Sequence, residues 1–250
     1  MTTIRCLDYL FDSVQAVLFD KDGTLANVET YLRDLGYARS QFISAHLPAS
    51  NAPKLRSAVL SAFGLSADRL DPAGMLAVGS RYENEVAVAT CLAIAGSGWV
   101  DAVKRSKEAF VEAEASLAPK VQKTPMLTGA KALLSRLASA NVKVGIVSSD
   151  LHTEVAAFVD YYQLSSVAWY CGSAPASLPK THSGFLDFAC NSMAVDPSRT
   201  LVIGDSAADY LLACQGAAGF LGMTGGWQDP PSIDPAARTF SDLLQVEAFD

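Results

Sequence analysis

Long apolar runs are missing from this 250-residue chain, although half of its residues are hydrophobic. The longest candidate, Val86 to Ala95, is about half of what a membrane-spanning helix needs, so no span is expected. Cysteine is scarce. Cys6, Cys91, Cys171, Cys190 and Cys214 are odd in number, and no two stand at CxxC spacing. That argues against a disulfide framework or a zinc site and for buried thiols in a reducing compartment. Positive charge is in deficit, with 19 basic against 26 acidic residues and a net charge of −7. Such a balance speaks against a nucleic-acid or anionic-membrane partner, but not against a small anion, which feels local charges. A basic leader is missing too. Asp8 and Asp12 interrupt the first apolar stretch, no signal peptide is read, and a cytoplasmic location is expected. Nor is there a GxGxxG fingerprint, a Gly-Lys pair of the P-loop kind or a GxSxG elbow. The glycines at 96–98 and 222–226 are therefore read as loops, and His46, His152 and His182 as helix or loop residues.

Short apolar runs bounded by polar residues are present. Ala16–Phe19, Val142–Val147, Val167–Cys171, Leu201–Ile203 and Phe220–Met223 read as buried strands. Between them lie helical faces, such as Leu133/Leu134/Leu137, Val155/Phe158/Val159/Tyr162 and Phe185/Phe188/Ala189/Met193. Alternation of buried strand and helix predicts an α/β fold with a doubly wound, mostly parallel sheet. Residues 26–123 differ. They hold no convincing strand, and helical faces recur over Tyr31–Leu47, Lys54–Phe63, Tyr82–Ala95 and Trp99–Leu117. A core of residues 1–25 and 124–250 with an inserted helical domain is the expected organisation. The tail carrying Gly225, Gly226, Pro230, Pro231 and Pro235 reads as loop.

Ligands of such sheets bind beyond the carboxyl ends of the strands. Past the first strand come Asp20, Asp22, Gly23 and Thr24. Past Val147 come Ser148, Ser149 and Asp150, and past Ile203 come Gly204, Asp205, Ser206 and, one turn on, Asp209. Lys180 follows Pro179 ahead of a helix expected near Thr181–Met193. Four separate regions thus send polar groups to one edge. Clustered carboxylates repel, and burial raises their pKa values, so the cluster suits a divalent cation; hard oxygen ligands in small number suit Mg²⁺. Asp20 then has the makings of a nucleophile, and Asp22 those of a general acid and base. A calcium loop starting at Asp20 fails, because its sixth position is Leu25 and its twelfth is Tyr31. Ser148 fits a phosphate contact or a helix cap. Lys180 has rivals in Lys120, Lys123 and Lys131, and Asp209 reads as a metal-shell residue or a surface helix residue.

Asp20-Lys21-Asp22-Gly23-Thr24-Leu25 resembles the first motif of the haloacid dehalogenase (HAD) superfamily. Ser148, Lys180 and the run Gly204–Asp209 are similar to its second, third and fourth motifs, in order, and the likeness covers roughly residues 14–224. The resemblance is nearest to phosphoglycolate-phosphatase-like members, with a C1-type helical cap in the insertion. It implies an aspartyl-phosphate on Asp20 and acid–base work by Asp22. Ser148 and Lys180 would act on the phosphoryl group, with Thr24 and Ser149 as further substrate contacts. Mg²⁺ would be held by Asp20, the Asp22 backbone carbonyl and Asp205, with Asp209 in support. Arg81, beside Ser80 and Asn84, is the residue taken for a substrate carboxylate or distal phosphate. The expected activity is Mg²⁺-dependent hydrolysis of a small phosphorylated metabolite by a monomer or homodimer. The alternatives are a phosphomutase of the β-phosphoglucomutase type, a 2-haloacid dehalogenase and a non-catalytic HAD-fold binding protein.

Overall fold

The computed structural model describes residues 2–45, 51–66, 69–173 and 178–249. His46 and Leu47, the last two residues of the helix expected over Tyr31–Leu47, lie outside the described residues. In chain order the elements are β1 (Thr2–Cys6), β2 (Tyr9–Val14), β3 (Ala16–Phe19), α1 (Glu29–Ala45), α2 (Ala52–Ala62), α3 (Met75–Val78), α4 (Arg81–Ile94), α5 (Trp99–Ala115) and α6 (Lys120–Lys123). There follow α7 (Ala130–Ser139), β4 (Lys143–Leu151), α8 (His152–Tyr161), β5 (Val167–Ser173), α9 (Phe185–Met193), β6 (Thr200–Gly204), α10 (Ala207–Ala213), β7 (Gly219–Met223), β8 (Thr239–Phe240) and β9 (Val246–Phe249). Among the described residues no helix is long and apolar enough to cross a membrane.

Two compact units make up the chain: Met1–Val28 with Thr124–Asp250, and Glu29–Lys123. Ala26, Asn27 and Val28 go with the first unit rather than with the insertion. Backbone bonds hold them there: Gly23 N–H donates to Ala26 O at 2.8 Å and Asn27 N–H to Pro125 O at 2.9 Å.

The first unit is built on a six-stranded sheet, order β5-β4-β3-β6-β7-β8, in which every neighbouring pair runs parallel. All four residues of β3 are buried, as befits the centre of a sheet covered on both faces. Successive side chains of a strand point to opposite faces. Ala16 and Leu18 pack with Val202 and Phe220 against Phe185, Leu186, Ala189 and Met193 of α9 and Leu212 and Ala213 of α10. The opposite face carries α7 and α8 over β4 and β5, with Leu133, Leu134, Leu137, Val155 and Phe158 buried. Register then fixes the site. Phe19 pairs with Ile146 on one side and Ile203 on the other, so Asp20 and Gly204 emerge side by side.

A second, three-stranded antiparallel sheet, order β2-β1-β9, joins the chain ends. None of its strands was expected. Asp8, Asp12 and Arg5 break the apolar pattern of β1 and β2, and β9 becomes a strand only by pairing with β1, as in Ile4 with Ala248. Strand β8, in the stretch after the loop-like tail, is likewise made by a pairing, Met223 with Phe240.

In the helical unit, α4 opens with a capping box: the Ser80 hydroxyl accepts from Glu83 N–H, and the Glu83 carboxylate accepts from Ser80 N–H. Val88, Ala89 and Leu92 of the Val86–Ala95 run are buried there as core.

Leu18 sits at the middle of the central strand without solvent exposure. Leu18→Ala is expected to cost about 3 kcal/mol, read as a lower urea midpoint at an unchanged slope.

Candidate active site

The chain leaves β3 at Asp20 and turns at once. Leu25 and Ala26 N–H both donate to Lys21 O, and Gly23 adopts φ +85°, a conformation that glycine takes without strain. The turn places Asp20 beside the first residues after β6. Asp20, Asp205 and Asp209 each offer a carboxylate oxygen within 4.8 Å of the others, and all three are buried. Lys180 reaches the same place from the turn ahead of α9, which begins at Phe185 rather than near Thr181. Its ammonium donates to Asp20 Oδ1 and Asp209 Oδ1, both at 2.7 Å. Lys131 instead donates to Tyr162 O, and Lys120 and Lys123 belong to the helical unit.

The electrostatics follow from the count. Three buried carboxylates face one ammonium, which leaves two negative charges out of water. Burial pushes the Asp20 carboxyl well above the usual carboxylate range; Lys180 opposes the rise, and Asp209 and Asp205 add to it. Asp205 is pushed up to about 7, again by burial first and by Asp209 next. Burial alone would lower the Lys180 ammonium, but Asp20 and Asp209 outweigh it and hold it above its ordinary value. A divalent cation would cancel the two surplus charges, and an all-oxygen donor set suits Mg²⁺. Asp209 has less to offer such an ion than Asp20 or Asp205. Its Oδ1 is bonded to Lys180, and its Oδ2 accepts from the Ser206 hydroxyl and from Ser206 N–H in the capping box that starts α10.

The remaining candidates divide. Asp22 is two residues from Asp20, but its carboxylate pairs with the ammonium of Lys21. Lys21, which no sequence argument singled out, is buried: it bridges Asp22 and Asp150, the latter at 3.1 Å, and lies 5.6 Å from the centre of the Phe158 ring. A lysine between two aspartates at the end of an apolar strand was the signal available. Ser148 and Ser149 lie half-buried in the last part of β4, where the pairing with β5 slips. Ser148 Oγ accepts from Asp150 N–H at 3.1 Å, which leaves its own proton to donate. It does not cap α8, which has no side-chain cap. Thr24, expected to touch substrate, is fully buried and donates to Asp205 Oδ1 at 3.0 Å. A further residue escaped the sequence reading: Trp227 Nε1–H donates to Asp205 Oδ2 at 2.7 Å.

Arg81, expected at a substrate carboxylate or distal phosphate, already has carboxylate partners. It lies in the helical unit and pairs with Glu85 at 2.8 Å and with Glu114, which also receives Arg39 at 3.0 Å. Two carboxylates offset its charge. His152 and His182 accept backbone N–H bonds from Gly172 and Gly184, as local loop and helix-end groups.

The comparisons give a family for this parallel α/β core with acids at its strand ends. The chain belongs to the haloacid dehalogenase-like hydrolase family, whose model matches residues 14–215. Among solved structures it is similar to a predicted phosphoglycolate phosphatase from Haemophilus somnus 129PT: 18% identity, TM-score 0.58, 87% of this chain and 89% of that one covered. A HAD-superfamily hydrolase of subfamily IA, variant 1, from Geobacter sulfurreducens PCA aligns at 19% identity and TM-score 0.55 over 91% and 92% of the two chains. A dehalogenase solved with an intermediate complex aligns at 16% identity and TM-score 0.52 over 94% and 96%. At these identities the likeness is one of fold. A search of curated proteins returned no match.

Two outcomes are expected. A carboxyl whose pKa is higher folded than unfolded binds more protons in the folded state between the two values. With Asp205 near 7 against an ordinary 3.8, the metal-free protein loses stability as pH rises from about 4 to about 7. Melting temperatures measured in chelator across that range will fall, and Asp205→Asn will flatten the slope. Separately, Lys21→Met strands Asp22 and Asp150 without their cation and is expected to cost about 3 kcal/mol in urea unfolding.

Proposed function

We propose that the chain is a Mg²⁺-dependent phosphatase of a small, phosphoglycolate-like phosphomonoester, working through an aspartyl-phosphate on Asp20. The observation that carries this reading is the buried Asp20 carboxylate held by Lys180 among Asp205 and Asp209, with a second acid two residues along the chain. Asp20 attacks phosphorus, and the phosphorus–leaving-oxygen bond breaks. Asp22 gives its proton to that oxygen, then takes one from the water that hydrolyses the phosphoenzyme. Lys180 holds Asp20 in place and offsets phosphoryl charge, and Ser148 donates its hydroxyl proton to a phosphoryl oxygen. Mg²⁺, held by Asp20, Asp205 and the Asp22 backbone carbonyl with Asp209 in support, would supply further charge stabilisation for the phosphoryl oxygens. In this reading the inserted helices are the C1-type cap that selects the substrate, and the protein acts in the cytoplasm as a monomer or homodimer without nucleic-acid or membrane partners. The free cysteines agree with a reducing compartment: Cys6 and Cys190 are buried, and burial raises the Cys6 thiol to about 11.

A 2-haloacid dehalogenase needs the nucleophile but neither the second aspartate nor a metal, so Asp22, beside a buried acid trio suited to a cation, favours the phosphatase. Asp20→Asn is expected to abolish hydrolysis of p-nitrophenyl phosphate and of a panel of phosphorylated metabolites while circular dichroism and melting stay close to wild type. Wild-type turnover by that variant would refute the nucleophile. Chelator is expected to stop the wild-type enzyme and Mg²⁺ to restore it. Release of halide from 2-haloacids without Mg²⁺ would install the dehalogenase reading, and sugar-phosphate isomerisation primed by a bisphosphate the mutase. Asp22→Ala is expected to trap or greatly slow the phosphoenzyme, seen as acid-stable label from ³²P-substrate.

A further inference from the structure

The loop after β7 reads Thr224-Gly225-Gly226-Trp227, and its glycines match no nucleotide motif. Their positions give them another purpose. A Cβ on Gly226 would lie 1.7 Å from Gly23 O, and one on Gly225 would lie 1.9 Å from Ser241 O. The loop is therefore wedged between the Asp20–Thr24 turn and the chain beside β8, closer than any side chain would allow. Gly23 meets it from the other side: a Cβ there would fall 2.3 Å from Trp227 Nε1 and 2.4 Å from Asp205 Oδ2. Three glycines thus bring the Trp227 indole against Asp205 and leave it little room to move. Trp227 is only 7% exposed.

The consequence falls on Asp205. Its Oδ2 accepts from Trp227 at 2.7 Å and its Oδ1 from Thr24 at 3.0 Å. Two donors fix the plane of the carboxylate, and two of its roughly four lone-pair directions remain for other partners. Asp20 and Asp209 each bring a carboxylate oxygen within 4.8 Å of it. A ligand held in advance costs less ordering when a cation arrives, and partners of this kind are worth 10- to 100-fold in metal affinity at other sites.

We propose that Trp227 is a positioning residue that fixes Asp205 for a divalent cation, with Gly225 and Gly226 as the clamp that places its indole. The inference rests on the reading of Asp205 as a metal ligand. It assigns a task to a loop that lies outside the stretch matched by the family model, which ends at residue 215.

Calorimetric titration of the substrate-free protein with Mg²⁺ tests it. Trp227→Phe keeps an aromatic ring but removes the N–H donor together with part of the buried indole. It is expected to weaken Mg²⁺ binding roughly 10- to 100-fold and to move the Mg²⁺ activation midpoint by the same factor. A folded Trp227→Phe with wild-type Mg²⁺ affinity overturns the proposal. A second measurement leaves the indole in place. The chain has three tryptophans, so Trp99→Phe with Trp169→Phe makes Trp227 the sole tryptophan, excited to the red of the tyrosines. Its emission is expected to change along the calorimetric Mg²⁺ curve. A flat signal through saturation overturns the proposal while leaving the phosphatase reading intact. A wild-type protein that binds no Mg²⁺ overturns both.

Discussion

Two surplus negative charges buried at the rim of a parallel sheet are the constraint on which the rest of this structure turns. Asp20, Asp205 and Asp209 converge there, and among the described residues Lys180 is the cation that pairs with them. Left so, the cluster is unfavourable, and burial drives Asp20 and Asp205 toward the protonated form. That is the opposite of what the proposed nucleophile needs. Any cation that enters, or any chemistry that spreads the charge, is favoured by the same electrostatics that make the resting cluster costly. The site thus stores its function as an imbalance.

The surrounding structure keeps that imbalance from relaxing. Asp209 is tied at one oxygen to Lys180 and at the other to the start of α10, and Gly204 leaves it space: a Cβ there would fall 2.3 Å from Asp209 Cγ. Asp205 is held by Thr24 and Trp227. Asp22 is drawn aside by Lys21, which is itself anchored by Asp150 at the end of β4. The two aspartates of the first turn therefore have separate cations, Lys180 for one and Lys21 for the other. Two like charges two residues apart are tolerated because each faces a different partner.

The helical unit follows another logic. Arg39 and Arg81 flank Phe110, at 3.9 and 5.9 Å from its ring, and both reach Glu114. Their charges go into holding helices together. The Arg81 partners Glu85 and Glu114 lie four residues and thirty-three residues away. Only the packing of α4 on α5 brings the second within reach.

Local pattern was enough for five of the six strands of the parallel sheet, all but β8. The five apolar runs became β3 to β7 with shifts of a few residues, because a strand buried on both faces must be apolar throughout. The order of acids, serine and lysine past the strand ends was also legible, since the sheet brings all such ends to one rim. Pairings that close only across long stretches of chain were not. β1 and β9 are some 240 residues apart and acquire strand character from each other. Lys21, Thr24 and Trp227 revealed their partners only once the turn, the bulged end of β4 and the glycine-clamped loop were brought together. Sequence by itself determined which chemical groups reach the rim, because periodicity and strand ends are local. Tertiary structure decided which of them touch, because a hydrogen bond or an ion pair depends on a few tenths of an ångström between segments that the chain order keeps far apart.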